Sequence, residues 1–210
     1  KPVGGDRTIG IQATFLRVWT ALVAPQVREW ENGMAGFWDT AVKGSSAPRA
    51  AMRRLLRQEV AQHVKQEYAG ICWDAKTFYD TLDVKLLWDN ALQLGMNLAV
   101  CLVVIMNYVA PRRLRINENI ASPTDIDLSI VAGCRFANTM ARVATHYVLD
   151  KLHRDRKGVW HEQYVDDMPQ TAASSPEELV MRSGAAGRQF GAGFRHVGMS
   201  ISRKAATLDT

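Results

Sequence analysis

Short apolar stretches of strand length alternate along the chain with longer stretches of helical periodicity, and this pattern limits the folds that it can adopt. Residues 70–74 form an apolar stretch that ends in an acid, 159–165 is strand-like, and both are as short as typical strands. Between them, from Phe136 to Tyr147, apolar residues recur at steps of three and four, which places them on one face of a helix. The order does not follow the regular strand–helix–strand repeat of a parallel sheet. The sequence therefore predicts an α+β fold.

Local signals define further elements. Pro25 should kink or divide the first helix, because proline lacks an amide hydrogen. Gly95 should break a long helical stretch, and Ser175 with Glu178 forms a capping box that starts a helix ending at Gly198. With their bounds, these and the other predicted helices are 13–30, 49–68, 82–94, 91–108 and 175–197. Further short strands are expected at 8–11, 113–117, 128–131 and 199–202.

Composition excludes several classes of protein. The chain has 210 residues, of which 47% are hydrophobic and 22% charged, so it can form a sizeable core and is not a disordered tail. The longest apolar run, 91–109, contains polar residues and barely reaches bilayer length, so we expect a buried helix and no membrane partner. No signal peptide is expected, and three scattered cysteines favour a reduced, intracellular setting over a disulfide framework or zinc site. The net charge of +5 suits a nucleic-acid partner, but many proteins that bind no nucleic acid share it.

Three aspartates follow strand-like stretches. Asp74 comes directly after residues 70–73, and Asp166 with Asp167 follows Gln163-Tyr164-Val165. A carboxylate at the end of a buried strand needs a partner, a turn or a cation. If the three acids met across a sheet, their oxygens would suit two magnesium or manganese ions, which promote phosphoryl transfer. The alternative is that Asp166-Asp167 is an ordinary turn, in which aspartate is common.

Five ordered segments resemble reverse transcriptases, most of all those of non-LTR (LINE-type) retrotransposons. The stretch from Asp74 to Asp80 is similar to the first palm motif, and Tyr164-Val165-Asp166-Asp167 is similar to the tyrosine-x-aspartate-aspartate hairpin. Residues 132–138 resemble the family's glutamine-glycine segment, and 190–204 resembles its segment that ends in lysine. Lys1 together with 7–11 resembles the fingers hairpin.

The resemblance implies a right-hand palm with an antiparallel sheet backed by helices, plus partial fingers and no thumb. It divides the chain into partial fingers at 1–69, a first part of the palm at 70–111, a fingers–palm connection at 112–131 and a second part of the palm at 132–210. It also implies that the chain is a catalytic-core fragment of a larger retroelement polyprotein, which in isolation can be inactive.

The same resemblance assigns roles at the nucleotidyl-transfer centre. Asp74 and Asp166 would bind two Mg²⁺ ions, for which Mn²⁺ can substitute, with Asp167 supporting them and the carbonyl of Ala75 adding an oxygen. Tyr79 matches the aromatic residue that closes over the sugar of the incoming deoxynucleotide and excludes a ribose 2′-hydroxyl. A core aromatic residue is the alternative for Tyr79.

Further roles concern the triphosphate, the template and the primer. Lys1 and Arg7 match cations that hold the triphosphate. Lys204 matches a proton donor to the leaving pyrophosphate, with a solvated surface cation as the alternative. Gly133 would let the backbone approach the template or nucleotide. Tyr164 would pack near the primer end, unless it is a simple strand aromatic residue.

Two positions depart from the family pattern and keep other functions open. Ala132 stands where the family has glutamine, and Ala137-Asn138 replaces serine-proline. The leading hypothesis is an RNA-directed DNA polymerase core whose partners are an RNA template, a DNA primer and deoxynucleoside triphosphates. The alternatives are a degenerate scaffold that binds nucleic acid without catalysis, and an RNA-directed RNA polymerase, which the bulk of Tyr79 disfavours.

Overall fold

We describe the protein from a computed structural model, which covers residues 10–42 and 44–202 together with the backbone of 206–208. The helices are α1 (Thr14–Met34), α2 (Ala47–His63), α3 (Val84–Gln93), α4 (Leu98–Val109), α5 (Ala137–Asp155) and α6 (Pro176–His196). The strands are β1 (Glu67–Asp74), β2 (Arg115–Ile116), β3 (Asn119–Ile120), β4 (Val159–His161), β5 (Asp167–Ser174) and β6 (Ala206–Leu208). The predicted α+β class is confirmed.

The main sheet has four antiparallel strands in the order β4-β5-β1-β6. Its centre is the pairing of β1 with β5, which runs from Glu67 opposite Ser174 to Asp74 opposite Asp167. Strands β2 and β3 form a separate two-stranded hairpin. Because β5 returns antiparallel to β1, the end of one strand lies beside the start of the other.

Helices cover both faces of this sheet. On one face, Trp73 stacks on Phe190 of α6, with 4.9 Å between the ring centroids. On the other face, the hydroxyl of Tyr68 reaches the backbone carbonyl of Arg54 in α2. Successive strand residues point to opposite faces, so Asp74 shares a face with Tyr68 and lies on the side of α2. The predicted sheet backed by helices is confirmed.

Helix α5 lies at the centre of the helical layer. Ten of its nineteen residues are buried, and it contacts α3, α6 and β4. The predicted apolar face is buried at Met140 and Val143, whereas Tyr147 is exposed. None of the described helices is both long and apolar enough to cross a bilayer.

The first two helices differ from the sequence prediction. Helix α1 continues through Pro25 to Met34 and is not divided. Because Pro25 and Ala21 are both exposed, the carbonyl that loses its helical donor can bind water. Helix α2 ends at His63, earlier than predicted, where Lys65 adopts a left-handed conformation with φ of 57° and turns the chain into β1.

Several predicted strands are shorter or missing. Only Arg115–Ile116 of the predicted strand 113–117 is paired, and 128–131 contributes one bridge, between Leu128 and Asp83. Gly10 and Ile11 form no strand, while the rest of 8–11 lies outside the described residues. The stretch 199–202 forms one bridge, from Ile201 to Ala75. Residues 10–11 and 113–117 are exposed, so burial does not hold them in regular pairing, whereas 128–131 and 199–202 are fixed by the buried side chains of Ile130 and Met199.

Strand β5 was not predicted, because Pro169 normally argues against a central strand. The carbonyl of Pro169 accepts a hydrogen bond from the amide of Glu162, so its nitrogen also points toward the β4 side. Strand β4 ends at His161, and the missing amide hydrogen therefore falls where the ladder already stops. The proline is tolerated for this reason.

The predicted start and end of α6 are confirmed, but the cap differs. Gly198 follows the helix with φ of 80°, a conformation that glycine adopts without strain. Ser175 makes no side-chain capping hydrogen bond, and Ser174 instead donates to the carboxylate of Glu178.

Candidate active site

The ends of β1 and β5 bring acidic residues together. Asp74, the last residue of β1, lies directly opposite Asp167, the first residue of β5. Directly opposed residues of an antiparallel pair point to the same face of the sheet, so both carboxylates lie on the face of α2. Asp166 precedes Asp167 in the connecting turn, and all three aspartates are exposed. Acids 92 positions apart in the sequence thus meet at one edge of the fold.

Asp166 sits in a tight hairpin. The backbone groups of Tyr164 and Asp167 exchange two hydrogen bonds, of 2.8 and 3.1 Å, around Val165 and Asp166. Val165 has φ of 61°, which is costly for a β-branched residue. A strained residue persists only where neighbouring contacts fix it. Here the strain places the Asp166 carboxylate at the tip of the hairpin.

Gln163 anchors this hairpin to the core. Its side-chain amide donates to the carbonyl of Val165 at 2.8 Å and accepts from the Thr145 hydroxyl of α5 at 2.7 Å. Its backbone is held by Trp38 and Thr40, which lie alongside. The side chain is fully buried, so each of these hydrogen bonds is shielded from water.

The acids act on one another electrostatically. Burial raises the pKa of Asp167, and the charges of Asp166 and Asp74 raise it further. Arg54 of α2 opposes this shift and lowers the pKa, so its guanidinium lies within electrostatic range of the site. Because the carboxylates repel one another, a cation would stabilise them together.

The donor set fits magnesium by chemistry and position. Carboxylate oxygens are the ligands that Mg²⁺ prefers, and Asp74 faces Asp167 with Asp166 next in the chain. Among residues 10–42 and 44–202, however, no three acidic, histidine or cysteine side chains already stand as a group that could hold a metal ion. Ion binding would therefore require the exposed carboxylates to rotate toward one another.

Tyr79 lies beside these acids, on a short 3₁₀ helix (Phe78–Thr81) that follows β1. Its hydroxyl donates to the side-chain oxygen of Asn138 at 2.5 Å. Burial raises the pKa of Tyr79, and the charge of Asp166 raises it further. The ring is half-buried, so one edge remains open to solvent. The ring also packs against the hydrophobic core, so the alternative of a core aromatic residue stays open.

Gly133 borders a large cavity next to the start of α1. Its φ is 90°, and a side chain there would meet no atom within 4 Å. The cavity has a volume of about 870 Å³ and is lined in part by Arg17 and Arg135. An open cleft with two cations and an accessible backbone can admit a phosphate-bearing strand or nucleotide.

The remaining predicted site residues have varied positions. Ala75 is buried opposite Ile201, and hydrogen bonds between Asp74 and Ser202 and between Lys76 and Ser200 hold the 200–202 segment alongside it. Tyr164 is half-buried at the base of the hairpin. Lys1, Arg7 and Lys204 lie outside the described residues.

Three residues at the site were missed by sequence analysis. Arg54 was one of several arginines on a basic helix, and nothing in the sequence singled it out. Gln163 directly precedes the hairpin motif, so a buried amide anchor was a detectable signal. Asn138 was noted only as a departure from the family pattern, whereas the structure places it in contact with Tyr79.

Comparison with protein families and with curated proteins gives no match. Among solved structures, the apo telomerase of Candida tropicalis truncated from its C-terminal domain is similar, with a TM-score of 0.64 and 11% identity over 96% of this chain and 45% of the other. The telomerases of C. tropicalis and C. albicans, each in complex with a fragment of telomeric RNA, give TM-scores of 0.63 and 0.59 at 11% identity. They match 92% and 93% of this chain.

These similarities establish the fold. The chain has a reverse-transcriptase-like fold and spans between a third and just under half of the matched telomerase chains, from 33% to 45%. At 11% identity the likeness concerns architecture alone, so activity must be argued from the site residues.

Proposed function

We propose that the chain is the core of an RNA-directed DNA polymerase, which adds deoxynucleotides to a primer 3′-hydroxyl by two-metal nucleotidyl transfer. The observation that carries this proposal is the register of β1 and β5, which sets Asp74 opposite Asp167 beside the hairpin tip at Asp166. A reverse-transcriptase-like fold with acids at this edge of its sheet supports it.

Each group at the site would perform one task in this reaction. Asp74 and Asp166 would bind Mg²⁺ with Asp167 in support, and Mg²⁺ when bound activates the attacking hydroxyl and stabilises charge on the phosphates. The carbonyl of Ala75 would add an oxygen ligand. Tyr79 would close over the sugar of the incoming nucleotide.

The cleft beside Gly133 would take the template strand or the nucleotide. Arg17 and Arg135 line it and can bind phosphate oxygens without reading sequence. Tyr164 at the base of the hairpin would face the primer end. Lys1, Arg7 and Lys204 keep their proposed roles at the triphosphate and pyrophosphate, on sequence grounds alone.

The proposed partners are an RNA template, a DNA primer and deoxynucleoside triphosphates. RNA is present in two of the similar telomerase structures, which supports an RNA partner for this fold. The finer proposal, a catalytic core within a non-LTR retroelement polyprotein, rests on the sequence motifs, since the similar structures are telomerases.

Primer extension on an RNA template tests the proposal. We expect Mg²⁺- or Mn²⁺-dependent deoxynucleotide incorporation by the polypeptide that contains this chain. Asp166→Ala or Asp74→Asn should lower the rate about 100-fold to 1,000-fold, since a charge-stabilising group contributes this much. Asp125→Asn, at an exposed loop position, is the matched control. Incorporation that survives Asp166→Ala would overturn the proposal.

A second candidate function is a non-catalytic nucleic-acid-binding scaffold. Ala132 favours it, because this exposed residue offers no polar side chain beside Gly133, where the resembled family has glutamine. Binding of an RNA–DNA hybrid that is indifferent to Mg²⁺ and to Asp74→Asn, without synthesis, would favour the scaffold.

A further inference from the structure

A hydrogen bond joins Tyr79 to a residue that is distant in the sequence. The Tyr79 hydroxyl donates to Oδ1 of Asn138 at 2.5 Å. Tyr79 lies just after β1, and Asn138 lies in the first turn of α5, five residues beyond Gly133. The bond therefore connects the candidate sugar-contacting ring to the helix that begins beside the cleft.

The backbone and the ring of Tyr79 are held by other contacts. Its backbone carbonyl accepts from the amide of Ile130 at 3.0 Å. Its ring meets Phe78 in an edge-on arrangement, with 5.4 Å between centroids and planes 69° apart. The hydroxyl end is different, because Asn138 is its hydrogen-bond partner among the described residues.

We propose that Asn138 is a positioning residue that fixes the ring of Tyr79 and thereby sharpens the exclusion of ribonucleotides. The inference rests on the proposed polymerase function. Steric exclusion of a 2′-hydroxyl depends on a ring that does not yield when the sugar presses on it. A half-buried ring whose hydroxyl has no partner can rotate away from the sugar. A ring whose hydroxyl is hydrogen-bonded to the first turn of α5 keeps its orientation.

The chemistry of position 138 supports this role. The resembled family has proline here, which carries no side-chain acceptor, so the bond to a phenol is a feature of this chain. Asn138 is exposed, and the contact of its side chain within the described part of the chain is this hydrogen bond. An exposed asparagine bonded to an active-site phenol is better explained by orientation of the phenol than by stability.

The test measures the ratio of kcat/KM for a deoxynucleotide to that for the matching ribonucleotide. We expect Asn138→Leu, which keeps the size but removes the acceptor, to lower this ratio about threefold to tenfold, the effect of one hydrogen bond. Kcat for the deoxynucleotide should change little. Asn119→Leu, at an exposed strand position, controls for a new surface apolar group.

A double variant separates positioning from a general effect. Tyr79→Phe removes the same hydrogen bond from the other side, so Asn138→Leu should have no further effect on the ratio in that background. Urea unfolding of the four proteins gives a second readout, in which the two substitutions should be non-additive. Additive effects in both measurements would overturn the inference.

The two proposals fail in different ways. A wild-type protein that extends no primer overturns the proposed function and the inference with it. A wild-type protein that discriminates between sugars, together with an Asn138→Leu variant that discriminates equally well, overturns the inference alone.

Discussion

His161 is a buried histidine that the fold keeps uncharged. It is 3% exposed on β4, and its ring stacks on Phe190. Burial lowers its pKa to about 4, with a smaller contribution from His153, while Gln170 opposes the shift. The Gln170 side chain also accepts from Trp73 and donates to the carbonyl of Ser183.

This histidine makes stability depend on pH. The unfolded chain binds a proton near pH 6.5 and the folded chain near pH 4, so the free energy of unfolding should fall as pH falls through this window. The full loss is about 3 kcal/mol, since one pKa unit corresponds to about 1.4 kcal/mol. Urea unfolding at a series of pH values measures it.

His161→Phe provides the comparison, because phenylalanine keeps the stacking on Phe190 and cannot be protonated. The variant should lose most of the slope between pH 6.5 and 4, whereas the exposed His196→Gln serves as the surface control. A His161→Phe protein with the wild-type slope would show that His161 does not cause the pH dependence.

Single residues show what the sequence could predict and why the rest was hidden. The three aspartates were predictable because each follows an apolar strand or closes a turn. Asn138 was interpreted as a loss, because its hydrogen bond to Tyr79 spans 59 positions and is visible only once the two elements meet. Arg54 forms an ion pair with Glu162 and lowers the pKa of Asp167, and both of these residues are far away in the sequence, so its role could not be predicted.

Helix α2 docks on the sheet through a buried carboxylate. Glu162, whose side chain is 5% exposed, accepts from Arg57 at 2.7 Å and from Arg54 at 3.1 Å. Arg57 also lies over the ring of Trp160, 5.1 Å from its centroid. Arginines of α2 thus help to hold the helix in place on the sheet.

Glu162→Gln tests this docking. Removing one partner of a buried ion pair leaves an uncompensated charge, so we expect a loss of about 3 kcal/mol in the free energy of unfolding. Hydrogen exchange should report faster opening of α2. The Asp150–Arg154 pair is partly exposed on α5, and Asp150→Asn should cost less than about 1 kcal/mol. Equal losses in the two variants would contradict the docking role.

At the level of elements, strong periodicity and glycines at helix ends were the reliable signals. Helices α3 and α6 agree with their predicted positions, because Gly95 and Gly198 mark clear ends, whereas α4 begins later than predicted, at Leu98, and α5 continues to Asp155. Strand β5 was missed because Pro169 suggests a break, and only the end of β4 beside it makes the proline acceptable. Whether a strand can contain a proline here depends on where the neighbouring strand ends, and this cannot be predicted from local sequence.

The whole molecule brings distant charges together, and two of the resulting clusters differ in how their charge is balanced. Beyond the three aspartates, a buried cluster joins Glu31 of α1, Asp39 and Arg142 of α5, with Arg142 3.3 Å from Glu31 and 3.5 Å from Asp39. Burial raises the pKa of Asp39, and Arg142 opposes that shift. In this second cluster a cation contacts both carboxylates, whereas the acids at the sheet edge have Arg54 only within electrostatic range and repel one another.

The repulsion among the sheet-edge acids predicts that Asp166→Asn is slightly more stable than the wild type without metal. It also predicts that a divalent cation stabilises the wild type more than this variant. Without metal, Asp166→Asn relieves repulsion and should raise the free energy of unfolding slightly. At a free Mn²⁺ concentration about 100 times the dissociation constant, the wild type should gain about 2.7 kcal/mol, and Asp166→Asn much less, because only the intact cluster binds the ion tightly. Thermal unfolding with and without Mn²⁺ measures both effects, and Asp125→Asn should behave as the wild type. Equal stabilisation of the wild type and Asp166→Asn would place the cation elsewhere, and the sheet edge would then be an acidic turn without a metal.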